Sequence, residues 1–149
     1  MRVLDQKKVS YVSHSYVDTD AISGVEVAKV LNQDPNQVFK TLVTIGASKK
    51  YYVYLVPVHR ELDLKKAAKA VGEKSIVMLP AKDLLPLTGY IHGGCSPIGM
   101  KKQFQTTIDH TAANFDTIVF SAGKIGYQVE LPLEELKKVI RFELKEITE

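Results

Sequence analysis

Residues 38–45, "VFKTLVTI", and residues 51–58, "YYVYLVPV", stand on either side of "GASKK". Runs so rich in β-branched and aromatic side chains favour extended backbone, and a short turn-forming connection brings the second back along the first. A β-hairpin is therefore predicted. Because most of its side chains are apolar, it is expected to lie in the core, and the remaining elements must cover it.

Helices can supply that cover. From Asp20 to Leu31 the apolar positions Ala21, Val25 and Ala28, with Val27 and Leu31 beside them, recur at helical steps, and "NQDPNQ" ends the pattern. In "ELDLKKAAKAVG", Leu64, Ala67, Ala68 and Val71 form one stripe, Asp63 suits the N-cap, Gly72 suits the C-terminal stop, and Lys65, Lys66 and Lys69 are expected to face water. "SIVML" (75–79) predicts a short strand and "AKDLLPL" a turn of helix broken by Pro86. "QFQTTID", "TIVFSA" and "YQVEL" predict three more strands, the last two joined by the turn "GKIG". A final helix opens with Pro132 at its first position and buries Leu133, Leu136 and Ile140.

Strands and helices do not alternate regularly, so the expected class is α+β: a mixed, mostly antiparallel sheet with surrounding helices, rather than a doubly wound parallel sheet. At 149 residues one domain over positions 1–149 is expected. No apolar run approaches the roughly 20 residues that span a bilayer, and "MRVLDQKKVSYVSHSY" carries charges where a signal peptide needs its apolar centre. A cytoplasmic protein with no membrane partner is expected. Its single cysteine cannot form an internal disulfide. A net charge of +3 is too small for a general nucleic-acid coat, but leaves room for a local basic rim.

The loop "GYIHGGCSPIGMKK", Gly89 to Lys102, is the first functional candidate. Gly93 and Gly94 allow positive φ and close approach, Pro97 stiffens the segment after Ser96, and successive amides can form an anion-binding nest. A plain connection between elements is an equally valid reading of the composition. The spacing of Gly94 and Gly99 imitates a P-loop, but Met100 stands where that motif needs lysine. Cys95 as a nucleophile would need a base or a positive field, which His92 three residues earlier does not by itself supply. His92 and Cys95 lack a second ligand pair at metal spacing, and His14, His59 and His110 are scattered, so neither metal nor cofactor is expected.

Lys40 interrupts the first strand of the predicted hairpin. Its stem either snorkels to an edge or its ammonium lines a pocket and meets an anion.

Lys40 in "DPNQVFKTLV", the loop "TGYIHGGCSPIGMKK" and the turn "SAGKIGYQVEL", in that order and spacing, closely resemble the YbaK/EbsC family, free-standing relatives of the editing domain inserted in bacterial prolyl-tRNA synthetases. The resemblance covers nearly the whole chain. It implies a mixed sheet with surrounding helices and a trans-editing aminoacyl-tRNA deacylase. The substrate implied is typically cysteine on tRNA for proline, with tRNA for cysteine as a second source, and release proceeds by cyclisation of the substrate thiol or by water attack. It assigns the tRNA 3′ end to Lys40, the ester to the loop around Gly93, Gly94, Ser96, Pro97 and Gly99, and pocket positions to Tyr16, Ser121 and Gln128. Some relatives carry isoleucine at the place of Cys95 and aspartate or serine at that of Gln128. Lys101, Lys102 and Lys124 flank these motifs and are expected to meet acceptor-stem phosphates, with prolyl-tRNA synthetase as a presenting partner. The competing class is a non-catalytic nucleotide- or tRNA-binding or regulatory module of the EbsC type.

Overall fold

The structure, a computed structural model, describes residues 2–21 and 23–149. In chain order the elements are α1 (Arg2–Gln6), β1 (Val12–Ser15), α2 (Gly24–Val30), β2 (Phe39–Gly46), β3 (Tyr51–Pro57), α3 (Leu64–Val71), β4 (Ile76–Met78), α4 (Ala81–Thr88), β5 (Gln105–Asp109), a 3-10 turn (His110–Asn114), β6 (Ile118–Ser121), β7 (Tyr127–Leu131), α5 (Leu133–Leu136) and β8 (Glu143–Lys145). The strands form two sheets, one ordered β4-β2-β3-β5-β8 and the other β1-β7-β6. Pairing is antiparallel except at β3–β5 and β5–β8, so the class is the mixed α+β arrangement expected, divided between two sheets.

The hairpin forms as predicted, with Ile45 opposite Tyr51 and Phe39 opposite Pro57. β3 is central in its sheet and buried on both faces: Val53 and Leu55 enter the main core, while Tyr52, Tyr54 and Val56 pack beneath α3. This is why its sequence reads as a continuous apolar run instead of alternating. The Tyr54 hydroxyl donates to the Ala67 carbonyl of α3 at 2.8 Å, so its polar tip is satisfied in the interior. Asp63 caps α3 by accepting from the amides of Lys65 and Lys66, and Gly72 closes it in the left-handed region at φ 74°.

Several expectations change. The helix expected over residues 20–31, a span that includes residue 22 outside the described residues, is α2, beginning at Gly24. Its start is set by Ser23 and Glu26, whose side chains each bond the other's backbone amide in a capping box. In α3, Leu64 is exposed, and the Lys66 ammonium donates to Glu146 and to the Thr148 carbonyl, both at 2.9 Å, fastening the C-terminal segment. Helix α4 runs through Pro86. The amide that proline lacks would have served the carbonyl of Lys82, an exposed residue, to which water can donate in its place. Pro132 occupies the N-cap of α5, which is one turn long; tighter turns carry the chain on to buried Ile140. Strands β1 and β8 and helix α1 were outside the sequence-based expectations. Among the described residues no helix is long and apolar enough to cross a membrane.

Leu55 is fully buried in the central strand, so Leu55→Ala is expected to lower unfolding free energy by about 2–5 kcal/mol in a denaturant titration. Asp63→Ala, which removes only a cap, should cost about 1 kcal/mol in the same measurement.

Candidate functional site

The two sheets are joined by a parallel bridge between Val38, just before β2, and Val119 of β6. Val119 donates its amide to the Gln37 carbonyl at 3.1 Å, and Ala28, Val38, Val58 and Val119 form a small buried cluster over the seam. Alternation along each strand puts Lys40 on the side of Val38 and Ser121 on the side of Val119. Two residues beyond the bridge on each strand, the shared register leads to Lys40 and Ser121. Gln128 is the cross-strand partner of Ser121, so it presents its side chain on that same face.

Lys40 is part-buried, with 29% of its side chain exposed, and its ammonium lies 3.4 Å from a carboxylate oxygen of Glu61, whose side chain is 74% exposed. The snorkelling alternative describes its present contact. A long ion pair to so exposed a carboxylate is weak and easily exchanged for another anion.

The glycine loop is a braced structure. The Tyr90 hydroxyl donates to the Ile98 carbonyl at 2.5 Å, Ser96 Oγ accepts the Ile98 amide at 3.2 Å, and the Lys101 amide donates to the Thr88 carbonyl at 3.0 Å. Gly93 has φ 86°, and a Cβ on Gly94 would stand 3.2 Å from the backbone nitrogen of Ile125. Only a glycine lets the loop backbone lie this close to the 123–126 turn. That turn follows the end of β6, so the loop is tied to β6 there. The Ser121 hydroxyl accepts the Gly123 amide at 3.2 Å and holds the turn in place. Tyr16 is buried alongside, its amide donating to the Gly126 carbonyl at 2.8 Å.

Other members of the expected set are placed differently. The Gly94 amide is already bonded to the Ile91 carbonyl at 3.0 Å, whereas the amides of Gly93, Cys95, Ser96 and Gly99 have no partner among the described residues. Gly93 and Gly99 are exposed; Ser96 and Pro97 are buried, and the Ser96 side chain is turned inward. Lys101 and Lys102 are exposed, the former reaching back to the Pro86 carbonyl at 3.3 Å. The Lys124 ammonium sits over the Tyr127 ring, 5.4 Å from its centroid. Cys95 is 7% exposed within the main core, and burial pushes its thiol up to about 12. His92 is exposed. The pair therefore lacks the contact that would generate a thiolate.

Gln128 itself is buried, and its Oε1 accepts from Nε2 of Gln33 at 2.9 Å. Across the strand pair its neighbour is His14, whose Nε2 lies 2.7 Å from Glu130. Thr117 donates to the other Glu130 oxygen at 2.5 Å, and this bond foremost, with His14, holds the carboxyl below its usual range. Gln33 and Tyr90 were missed in the sequence. Tyr90 was legible only as part of the irregular loop, and Gln33 sat in a segment read as a helix stop. Two hollows lie elsewhere: one of about 520 Å³ lined by Ile45, Tyr51, Leu79 and α4 residues, and one of about 670 Å³ lined by Phe104, Arg141 and Phe142 among others. Neither is bordered by Lys40 or the glycine loop. No cluster of three or more His, Cys, Asp or Glu residues suited to a metal ion occurs among the described residues.

Lys40, Ser121 and Gln128 thus share a face at the sheet seam, and the glycine loop packs against the turn that follows Ser121. The sequence model of the aminoacyl-tRNA editing domain matches residues 19–139. A protein of Enterococcus faecalis, "Putative Cys-tRNA(Pro)/Cys-tRNA(Cys) deacylase EbsC", is 45% identical over 149 residues, covering 99% of this chain and 91% of that protein. Two solved structures share the fold: "a putative trans-editing enzyme for prolyl tRNA synthetase" (TM-score 0.85, 21% identity, 99% of this chain and 93% of that one) and "hypothetical protein APE2540" (TM-score 0.86, 16% identity, 99% and 97%). The chain belongs to the aminoacyl-tRNA editing domain family, and the resemblance to YbaK/EbsC proteins is borne out.

With its thiol sealed and neutral, Cys95 should resist alkylation by iodoacetamide at pH 8 in the native state and react once the chain is unfolded. Because its folded pKa is raised, the stabilisation from the buried neutral thiol is complete below about pH 9 and lost as pH climbs toward 12. Cys95→Ala should accordingly show a shallower fall in thermal midpoint across that alkaline range.

Proposed function

We propose that this protein is a trans-acting aminoacyl-tRNA deacylase that removes cysteine from tRNA for proline, with tRNA for cysteine as a second source. The observation that carries this reading is the 45% identity, across almost the whole chain, to a protein bearing that name. Lys40 and the loop, in the order and spacing the family uses, support it.

An aminoacyl ester is already activated, so removing it requires a nucleophile near the carbonyl and donors for the developing oxyanion. In the proposed mechanism the ester enters beside the loop and its carbonyl oxygen takes unpaired amides, that of exposed Gly93 foremost. Gly94 contributes through its backbone shape, because its amide is engaged by Ile91. The Lys40 ammonium leaves Glu61 for a terminal phosphate or ribose oxygen. The substrate's thiol then attacks its own carbonyl: the S–C bond forms, the ester C–O bond breaks, and the thiol proton passes to the ribose oxygen. Water opens the thiolactone, or replaces the thiol as nucleophile from the start. Neither route uses a triad, and neither uses Cys95.

Lys101, Lys102 and Lys124 supply a modest rim for acceptor-stem phosphates, and prolyl-tRNA synthetase presents the substrate in the cytoplasm. Such a small footprint predicts a gentle fall of tRNA affinity with salt.

Lys40→Ala should lower kcat/KM for Cys-tRNA by at least about tenfold, the loss of one charge-assisted contact. Its unfolding free energy should stay within about 1 kcal/mol, because the pair with Glu61 is weak. Unchanged deacylation by this variant would refute the assigned role. Cys95→Ala should retain most activity.

A further inference from the structure

Gln33 and Gln128 are 95 residues apart in sequence, yet their amides meet at the face shared by Ser121 and Lys40. The direction of this hydrogen bond has a chemical consequence. Gln33 Nε2 donates and Gln128 Oε1 accepts, so the Gln128 oxygen is occupied. Among the described residues only Gln33 Oε1 and Thr41 Oγ1 are side-chain atoms sealed from solvent without a partner. The Gln128 nitrogen has no partner among the described residues and is not one of these sealed atoms, so it retains access to solvent.

Burial supports this orientation over its reverse. Turning Gln33 alone would set two amide oxygens face to face. Turning both amides would restore the bond, but would seal the Gln33 NH2 group without an acceptor. Two orphaned donors are a rarer and costlier outcome than one under-used carbonyl oxygen. The arrangement with the Gln128 NH2 facing outward is therefore favoured.

We propose that Gln33 is a positioning residue that fixes which end of the Gln128 amide meets the substrate: the NH2 group, to which the acyl-ribose offers an acceptor oxygen. This rests on the deacylase reading and deepens it by assigning the chemistry of one wall of that site. An aspartate here would present only acceptors and would suit the α-ammonium. Gln128 instead offers two donors and no charge, so it addresses the ester or ribose oxygens. Selection at this wall then acts on the ester shared by all aminoacyl ends and leaves discrimination among amino acids to other contacts.

The test is a double-mutant cycle of Gln33→Leu and Gln128→Ala, read by steady-state deacylation of Cys-tRNA and by calorimetric binding of a non-hydrolysable amide-linked aminoacyl-adenosine. Thermal midpoints confirm folding. Each single variant should raise KM and the analogue's dissociation constant by about three- to tenfold with kcat nearly unchanged, and the double variant should be no worse than Gln128→Ala. Gln33→Glu, which can only accept, turns the Gln128 amide around and should weaken analogue binding at least as much as Gln33→Leu. An active parent whose Gln33 variants keep parental KM and analogue binding overturns the proposal and spares the deacylase reading. Additive losses also overturn it. A parent that binds the analogue with the predicted dependence but releases no amino acid keeps the proposal and overturns the deacylase reading; a parent that does neither overturns both.

Discussion

Val38 and Val119 bring two sheets together through one parallel bridge, and the placement of the candidate site depends on that contact. The valines are buried with Ala28 and Val58, so the seam is held by apolar packing as well as by the Val119 amide. Strand alternation does the rest: once 38 and 119 share a face, Lys40, Ser121 and Gln128 fall on it. A slip of one residue at the bridge would turn those polar groups into the core and bring Phe39 and Phe120 out. The burial of both phenylalanines therefore also guards the register on which the site depends.

Beyond the end of β6 the glycine loop is held by Tyr90, which serves as a post. Its hydroxyl grips Ile98, and its ring leaves room only for glycine at 123. The loop and the 123–126 turn are thereby positioned together. Lys40 stands on β2, which meets β6 at the Val38–Val119 bridge, while the loop after α4 packs on the turn that follows β6. The weak pair between Lys40 and Glu61 is then what a cation awaiting a stronger anion would be expected to show, and the rigid glycine bend is what a backbone cradle needs.

The hairpin, α3 with its caps, and the β6–β7 turn were legible because each is dictated by local chemistry: apolar runs, Asp63 and Gly72, or "GKIG". The family motifs were legible for the same reason. What escaped was nonlocal or short. Strand β8 is exposed along its length and carries no core pattern; its place is set by pairing with β5. The final helix expected from Pro132 to Ile140 did not allow for Leu136 and Ile140 both being buried through a single turn and a tight return. The division into two sheets depends on a seam between positions 38 and 119, which periodicity does not reveal. Gln33 belongs to an amide pair visible only after folding brings the segment after α2 against β7.

The sulfur of Cys95 lies inside the main core, nearly sealed from solvent. A protein meeting thiol-bearing esters faces a hazard of its own, since an accessible sulfhydryl could accept the acyl group or form a mixed disulfide with liberated cysteine. Locking the chain's lone thiol behind apolar side chains insulates it from both side reactions, leaving the substrate to provide whatever thiol chemistry takes place.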